Sequence, residues 1–241
     1  MLWLEPPRLS TRKKRTHRPS QICKSVKRTR IKICGITRIE DALAAEALGA
    51  DALGFVFVER SKRKTNVSNA ATISRRLGPF VQRVGLFLDA PAIEVREALQ
   101  AIPGLIPQFH GREDAEYCDS FGCDYLKAIG VGEGPPDAGS LGAFQRCQGF
   151  LFDSNAPGQL GGTGHTFNWD MLNNMSAVEH LILAGGLAAE NVTEAIVQVR
   201  PYAVDVSTGV EVSPGVKDTG LIEKFIDAVK GADLQLRGKH T

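Results

Sequence analysis

Residues 181–209 read LILAGGLAAENVTEAIVQVRPYAVDVSTG, two short apolar runs with a helix-like segment between them. The runs at 181 and 203 are nearly continuous in apolar residues, as strands buried on both faces are. Asn191 stands where a helix N-cap belongs, and the residues after it carry helical spacing. Each run ends on small residues, Gly185–Gly186 after the first and Ser207–Thr208–Gly209 after the second. Strand, crossover helix and strand make one unit of a parallel sheet covered by helices.

The same unit recurs along the chain. IKICG at 31, DALGFVF at 51, VQRVGLFL at 81, LIPQFHG at 105, YLKAIGV at 125 and GFLFDS at 149 precede these two, giving eight runs. Helical segments are predicted to open at Asp41, behind a cap at Ser68 or Asn69, and over Pro91–Leu99 and Glu113–Ser120. Others are predicted weakly near Leu141–Arg146, at Trp169–Met175, after Asn191, and over Leu221–Ala232. Eight repeats in about 200 residues predict a (β/α)8 TIM barrel. An open doubly wound sheet would more often carry a glycine fingerprint after its first strand, whereas the glycine-rich turns here follow the sixth, seventh and eighth.

Composition supports a large buried core. With 241 residues, 43% of them apolar, the chain lacks the biased makeup of disordered, collagenous or disulfide-stapled proteins. The net charge of +2 conceals two parts: residues 1–30 hold ten basic side chains against Glu5, a net +9, and the rest hold 19 basic against 26 acidic, a net −7. The expected organisation is a disordered basic leader over 1–30, a catalytic barrel over 31–234 and a tail over 235–241. The acid-poor, Arg/Ser/Thr-rich leader has the texture of an organelle transit peptide, but Pro6, Pro7 and Pro19 interrupt any amphipathic helix, which favours a plain tail or an over-extended start. No apolar run approaches the roughly 18 residues of a membrane helix, so a cytoplasmic protein with no membrane partner is expected. The odd cysteine count, five, fits reduced thiols rather than a disulfide framework.

In a TIM barrel the chemistry sits at the carboxyl ends of the strands. Those ends hold Cys34, the segment up to Arg63, Asp89, His110, Lys127, Asp153, Gly185/Gly186 and Asp205/Ser207/Thr208/Gly209. The two small-residue turns let backbone N–H groups approach an anion closely, and barrels commonly hold phosphate there. The glycines of GQLGGTGHTFNW, Gly162 and Gly164 among them, suit a lid over a phosphosugar or simply a flexible linker. Cys34 reads as a buried small hydrophobe or, beside a positive neighbour, as a thiolate base. Asp153 reads as a loop-pinning aspartate or as a carboxylic acid kept protonated near apolar surface. Cys118 and Cys123 lack a second pair of ligands, and His17, His165, His180 and His240 show no metal spacing, so no metal site is expected. The run RSKRK at 60–64 reads as a solvated loop, a nucleic-acid contact or a cation for an acidic substrate.

These segments resemble phosphoribosylanthranilate isomerase of tryptophan biosynthesis. The matching motifs are KICGIT at Lys32, Ser61 and Arg63 of SxR, VGLF at Val84, QFHGRE at Gln108, FDS at Phe152, GGTGHTFNW at Gly161, LAGGLAAENV at Leu183, and DVSTGVE with PGVKD at Asp205 and Pro214. The resemblance implies a cofactor-free Amadori rearrangement in which Cys34 is the general base and Asp153 the general acid. It implies further that Arg63 takes the anthranilate carboxylate, that Asp205 lies near the anthranilate amine, and that Gly162, Gly164, Gly185, Gly186, Ser207, Thr208 and Gly209 hold phosphate. The expected partner is the small phosphosugar–anthranilate substrate alone, with no specific nucleic acid, in a monomer or homodimer.

The chain departs from the family after its second strand, where VERSKRKTN carries Glu59 and Lys62 in place of stiffening prolines. That departure predicts a more mobile loop and makes Arg60 a competitor of Arg63. Phe109 stands where aliphatics are common, a packing change, and His110 reads as structural or as a support to the site. Two rivals remain. A histidine-pathway aminoimidazole ribonucleotide isomerase would carry a carboxylate at position 34, and a dual-substrate assay separates it. A nucleic-acid binder using the leader and RSKRK would show salt-dependent retention lost on deleting residues 1–30.

Overall fold

The computed structural model describes residues 28–132, 134, 138–154, 167–175 and 177–238. Eight parallel strands close into a barrel: β1 (Arg30–Cys34), β2 (Ala52–Val56), β3 (Gln82–Phe87), β4 (Leu105–Phe109), β5 (Tyr125–Gly130), β6 (Cys147–Asp153), β7 (Leu181–Leu183) and β8 (Ala203–Val206). The closing pair is β1–β8, in a register that sets Lys32 opposite Asp205 and Ile33 opposite Val206.

Side chains alternate along each strand. Ile31 and Ile33 of β1, Phe55 of β2, Phe109 of β4, Phe152 of β6 and Val204 of β8 share one buried cluster with helix residues such as Ala42, Ala45, Val95, Ile196 and Phe225. The opposite parity points into the barrel, where Ala128, Leu151, Ile182, Ala184 and Ala203 fill one region and Cys34 packs with Val56, Leu86 and Leu88 in another. Phe109 is indeed a packing residue: its ring lies 5.7, 5.6 and 5.6 Å from those of Tyr117, Phe121 and Tyr125.

The intervening helices are α1 (Ile39–Leu48), α2 (Val67–Ser74), α3 (Ala92–Ala101), α4 (Ala115–Asp119), α5 (Ala138–Leu141), α6 (Val192–Val199) and α7 (Thr219–Gly238). Several depart from expectation. The cap of α2 is Asn66, which accepts from the Asn69 backbone at 2.7 Å, rather than Ser68 or Asn69. The fifth helix ends at Leu141, where the sequence had it begin, because residues 142–146 turn into β6. The sixth connection is a 3₁₀ turn, Trp169–Met175. Asn191 does occupy the N-cap position of α6, but its side chain makes no cap bond. It ties the preceding loop instead, accepting from Ala188 N and donating to Gly186 O, both at 2.9 Å.

The barrel also overruns its expected bounds of 31 and 234. Thr29 donates through its backbone N (2.9 Å) and hydroxyl (2.8 Å) to Asp233, Arg28 pairs with Asp51 at 2.8 Å, and α7 continues to Gly238. After β8 the chain inserts a 3₁₀ turn, Thr208–Val210, and a hairpin of β9 (Glu211–Ser213) and β10 (Val216–Lys217) before α7.

Candidate active site

Cys34 is the last residue of β1 and shares the inward parity of Lys32, two positions earlier. It is 5% exposed. Its neighbour on β2 is Gly54, where a Cβ would lie 2.8 Å from the Cys34 sulfur, so a small residue there makes room for the thiol. Lys32 reaches across to its register partner Asp205 with an Nζ–Oδ1 distance of 2.8 Å, both side chains nearly fully buried. Burial pushes the Cys34 thiol up; Lys32 pulls it down, Asp205 pushes it up and Lys217 pulls it down, and burial prevails. Burial likewise lifts Asp205 against the pull of Lys32, while Asp205 and Cys34 hold Lys32 protonated against its own burial. The positive neighbours of this thiol are Lys32, on the same strand, and Lys217.

Asp153 ends β6 with 6% exposure, its carbonyl accepting from Val131 N at 2.9 Å. It shares a cavity of about 140 Å³ with Asp205, the Gly185–Gly186 turn and the Ser207–Thr208–Gly209 turn. Gly185 and Gly186 both have left-handed backbones, φ 86° and 62°. At Gly209 a Cβ would lie 2.2 Å from the Leu187 carbonyl oxygen, so the turns after β7 and β8 press together and only glycine fits. His110, just past β4, is buried; burial lowers its pKa although Asp153 opposes this, and Gln108 Nε2 lies 3.3 Å from its Nδ1. His110 is therefore neutral at physiological pH, a support between the two carboxyls and Gln108.

Arg63 lies over the turn after Cys34, since a Cβ on Gly35 would meet its Cδ at 2.6 Å. One edge of its guanidinium is committed: Nε donates to both Glu211 oxygens (2.9 and 3.1 Å), and Nη2 donates to Glu211 (2.8 Å) and to the Thr208 hydroxyl (3.1 Å). Arg60 is exposed. Their loop is held by local bonds, including Ser61 N to Val58 O (3.0 Å), Thr65 N to Val56 O (2.9 Å) and an ion pair between Glu59 and Lys64.

Sequence reasoning passed over Lys32, Glu211 and Lys217, all of which meet here. For Lys32 the signal was present, a lysine in an apolar strand on the same parity as Cys34; Glu211 and Lys217 sit in a hairpin too short to leave a pattern. Lys127 proves remote in role. It points outward from β5 and donates to Glu113 (3.0 Å) and to the Gly111 carbonyl (2.8 Å), bracing the loop after β4. Gly162 and Gly164 lie outside the described residues. Among the described residues no group of three or more His, Cys, Asp or Glu is placed to hold a metal, and no helix is long and apolar enough to cross a membrane. Cys118 is buried and its thiol is pushed up to about 12, which leaves it a protonated packing group.

A closed parallel barrel that gathers a thiol, two carboxyls and small-residue turns at the carboxyl ends of its strands has the construction of a TIM-barrel enzyme. A family model described as N-(5'phosphoribosyl)anthranilate (PRA) isomerase matches residues 31–228. The chain belongs to this family of intramolecular isomerases, which serve tryptophan biosynthesis. It is 48% identical over 201 residues to the N-(5'-phosphoribosyl)anthranilate isomerase of Pseudomonas aeruginosa (strain LESB58), a match covering 83% of this chain and 95% of that one. The crystal structure of phosphoribosyl anthranilate isomerase from Thermotoga maritima superposes with a TM-score of 0.77 at 39% identity, over 84% of this chain and 99% of that chain. A further isomerase structure, in complex with reduced 1-(O-carboxyphenylamino)-1-deoxyribulose 5-phosphate, gives a TM-score of 0.72 at 37% identity with the same coverage.

Proposed function

We propose that the chain converts N-(5-phosphoribosyl)anthranilate to 1-(2-carboxyphenylamino)-1-deoxyribulose 5-phosphate, with Asp153 as general acid and Cys34 as general base. The observation that carries this reading is the linkage of a thiol and a carboxyl through one buried charge pair. Cys34 adjoins Lys32, Lys32 holds Asp205, and Asp205 shares its cavity with Asp153 and the small-residue turns. The product-analogue complex of a relative supports the choice of substrate.

The chemistry is a proton relay without net redox change. Asp153 gives its proton to the furanose ring oxygen, the C1–O bond breaks, and the anilino nitrogen's lone pair forms a protonated imine at C1. Cys34 thiolate takes the C2 proton, and the freed pair forms the C1–C2 double bond of an enolamine while the imine nitrogen becomes neutral. A proton leaves the C2 hydroxyl and one joins C1, giving the ketone; one proton passing from Cys34 to Asp153 through solvent resets the enzyme. The imine's positive charge arises beside the sulfur and favours its anion, opposing the effect of burial.

In this reading the phosphate takes backbone N–H groups of Gly185, Gly186, Ser207, Thr208 and Gly209, with Gly162 and Gly164 as the covering loop. The anthranilate carboxylate takes the Nη1 side of Arg63, the edge Glu211 does not occupy, and Asp205 lies near the amine. The four described cysteines are free, which suits a reducing cytoplasm. Purified protein should consume fluorescent phosphoribosylanthranilate without added metal or nucleotide. Cys34→Ala and Asp153→Ala should each lose at least about 10²-fold in rate. Undiminished turnover by both variants would remove the two roles.

A further inference from the structure

We propose that Lys217, together with Glu211, is a positioning group for this reaction: its ammonium ties the base strand, the phosphate-side turn and the arginine arm to one point. The inference rests on the roles given above to Cys34 and Arg63.

The geometry is specific. Lys217 Nζ, with a side-chain exposure of 0%, donates to the Cys34 carbonyl (2.5 Å), the Ser207 carbonyl (3.1 Å) and Glu211 Oε1 (2.8 Å). An ammonium has three protons to donate, and here all three have acceptors. The first acceptor is the backbone of the proposed base and the second the backbone of the proposed phosphate turn. The third is a carboxylate that holds Arg63 along its Nε–Nη2 edge, the two-pronged match of guanidinium and carboxylate. Two cations share one buried anion, so the cluster carries a net positive charge under an anionic substrate. Burial lowers the Lys217 pKa and Glu211 opposes it, while Arg63 and Lys217 keep Glu211 ionised against its own burial.

Other contacts hold the hairpin in place without this side chain. Lys217 N donates to Asp41 at 3.0 Å, and the Thr37 hydroxyl to the Gly215 carbonyl at 2.5 Å. These anchors hold the hairpin backbone at two further points.

The test reads the Cys34 thiol directly, by the pH dependence of its alkylation with iodoacetamide. Trypsin releases residues 33–38, which contain no other cysteine, for mass spectrometry. The charged groups acting on this thiol are Lys32 on its own strand, Asp205 on β8 and Lys217 on β10, and Glu211 and Arg63 bear on it through Lys217. Lys217→Gln removes a cation, so the alkylation midpoint should move to higher pH by up to about one unit. Glu211→Gln removes an anion and should move it to lower pH. The same variant releases Arg63 and should raise KM about tenfold, with kcat changed by less, because ground-state and transition-state binding are lost together.

Shifts of opposite sign in the two variants support the inference, since a merely structural disturbance would move both the same way. Midpoints that stay put, or move together, overturn it. If Lys217→Gln does not accumulate as folded protein, the Glu211→Gln shift alone decides: downward supports, unmoved or upward overturns. Cys34→Ala is assayed alongside. If it turns over normally the underlying base assignment has failed, whereas an inactive Cys34→Ala with unshifted variants defeats this inference alone.

Discussion

At the scale of single residues, the thiol's surroundings decide when it acts. Burial raises the Cys34 pKa above its ordinary range, so if Cys34 is the base proposed above, the free enzyme gains thiolate only as pH climbs. For kcat/KM, which reports the free enzyme, the rate should still be rising at pH 8.5, about where an ordinary thiol is half-ionised. A plateau well below that pH would contradict the assignment. Gly54→Ala puts a methyl where the sulfur lies, at 2.8 Å, and should cost activity through displacement of the thiol while the barrel stays folded, as turnover and circular dichroism measured together would show. The positions of Cys34 and Asp153 were legible because each closes an apolar strand, as the structure places them. The Lys32–Asp205 pair was not legible, although a lysine in an apolar strand was, because the two residues are 173 apart in sequence and joined only by sheet closure.

The hairpin of β9 and β10 shows what an element adds. Glu211 has a folded pKa below its unfolded value, so its stabilising effect is complete above the unfolded value of about 4.3 and is lost as pH falls toward the folded one. Replacing Glu211 with Gln should therefore flatten the acid limb of a plot of Tm against pH, and an acid limb identical to the parent's would count against the ion cluster. Eight strands were readable because each is an apolar run bounded by turn residues. This hairpin was not, since its short strands, EVS and VK, carry no apolar run. The fifth helix was displaced for a similar reason: four residues carry too little periodicity to fix a boundary. The cap of α2 fell on Asn66 rather than on Ser68 or Asn69, three polar residues that sequence alone does not rank.

On the scale of the whole molecule, charge and closure meet. The overall charge of +2 says little, but an acidic body obliges an anionic substrate to find its cations locally, and the buried Arg63–Glu211–Lys217 cluster is one such place. The two ends of the described chain also meet. Thr29 satisfies Asp233, which is 7% exposed, so a chain beginning at Ile31 leaves that carboxylate buried without this partner. Loss of the Thr29–Asp233 bonds, together with the Arg28–Asp51 pair and the Arg30 end of β1, should lower Tm by at least about 3 °C relative to a chain beginning at Arg28, read by differential scanning calorimetry. Equal melting temperatures would show that Asp233 finds another partner.

The β1–β8 register carries one further consequence, for the chain during its synthesis. The first strand made carries the thiol and its lysine, and the last strand made carries the aspartate that holds the lysine. A growing chain that has passed the ribosome as far as β7 owns most of the barrel's walls but neither the Lys32–Asp205 pair nor the turn at Ser207–Gly209. On the proposed roles the site is therefore complete only once β8 has closed the sheet, and a chain truncated before β8 should show no isomerase activity.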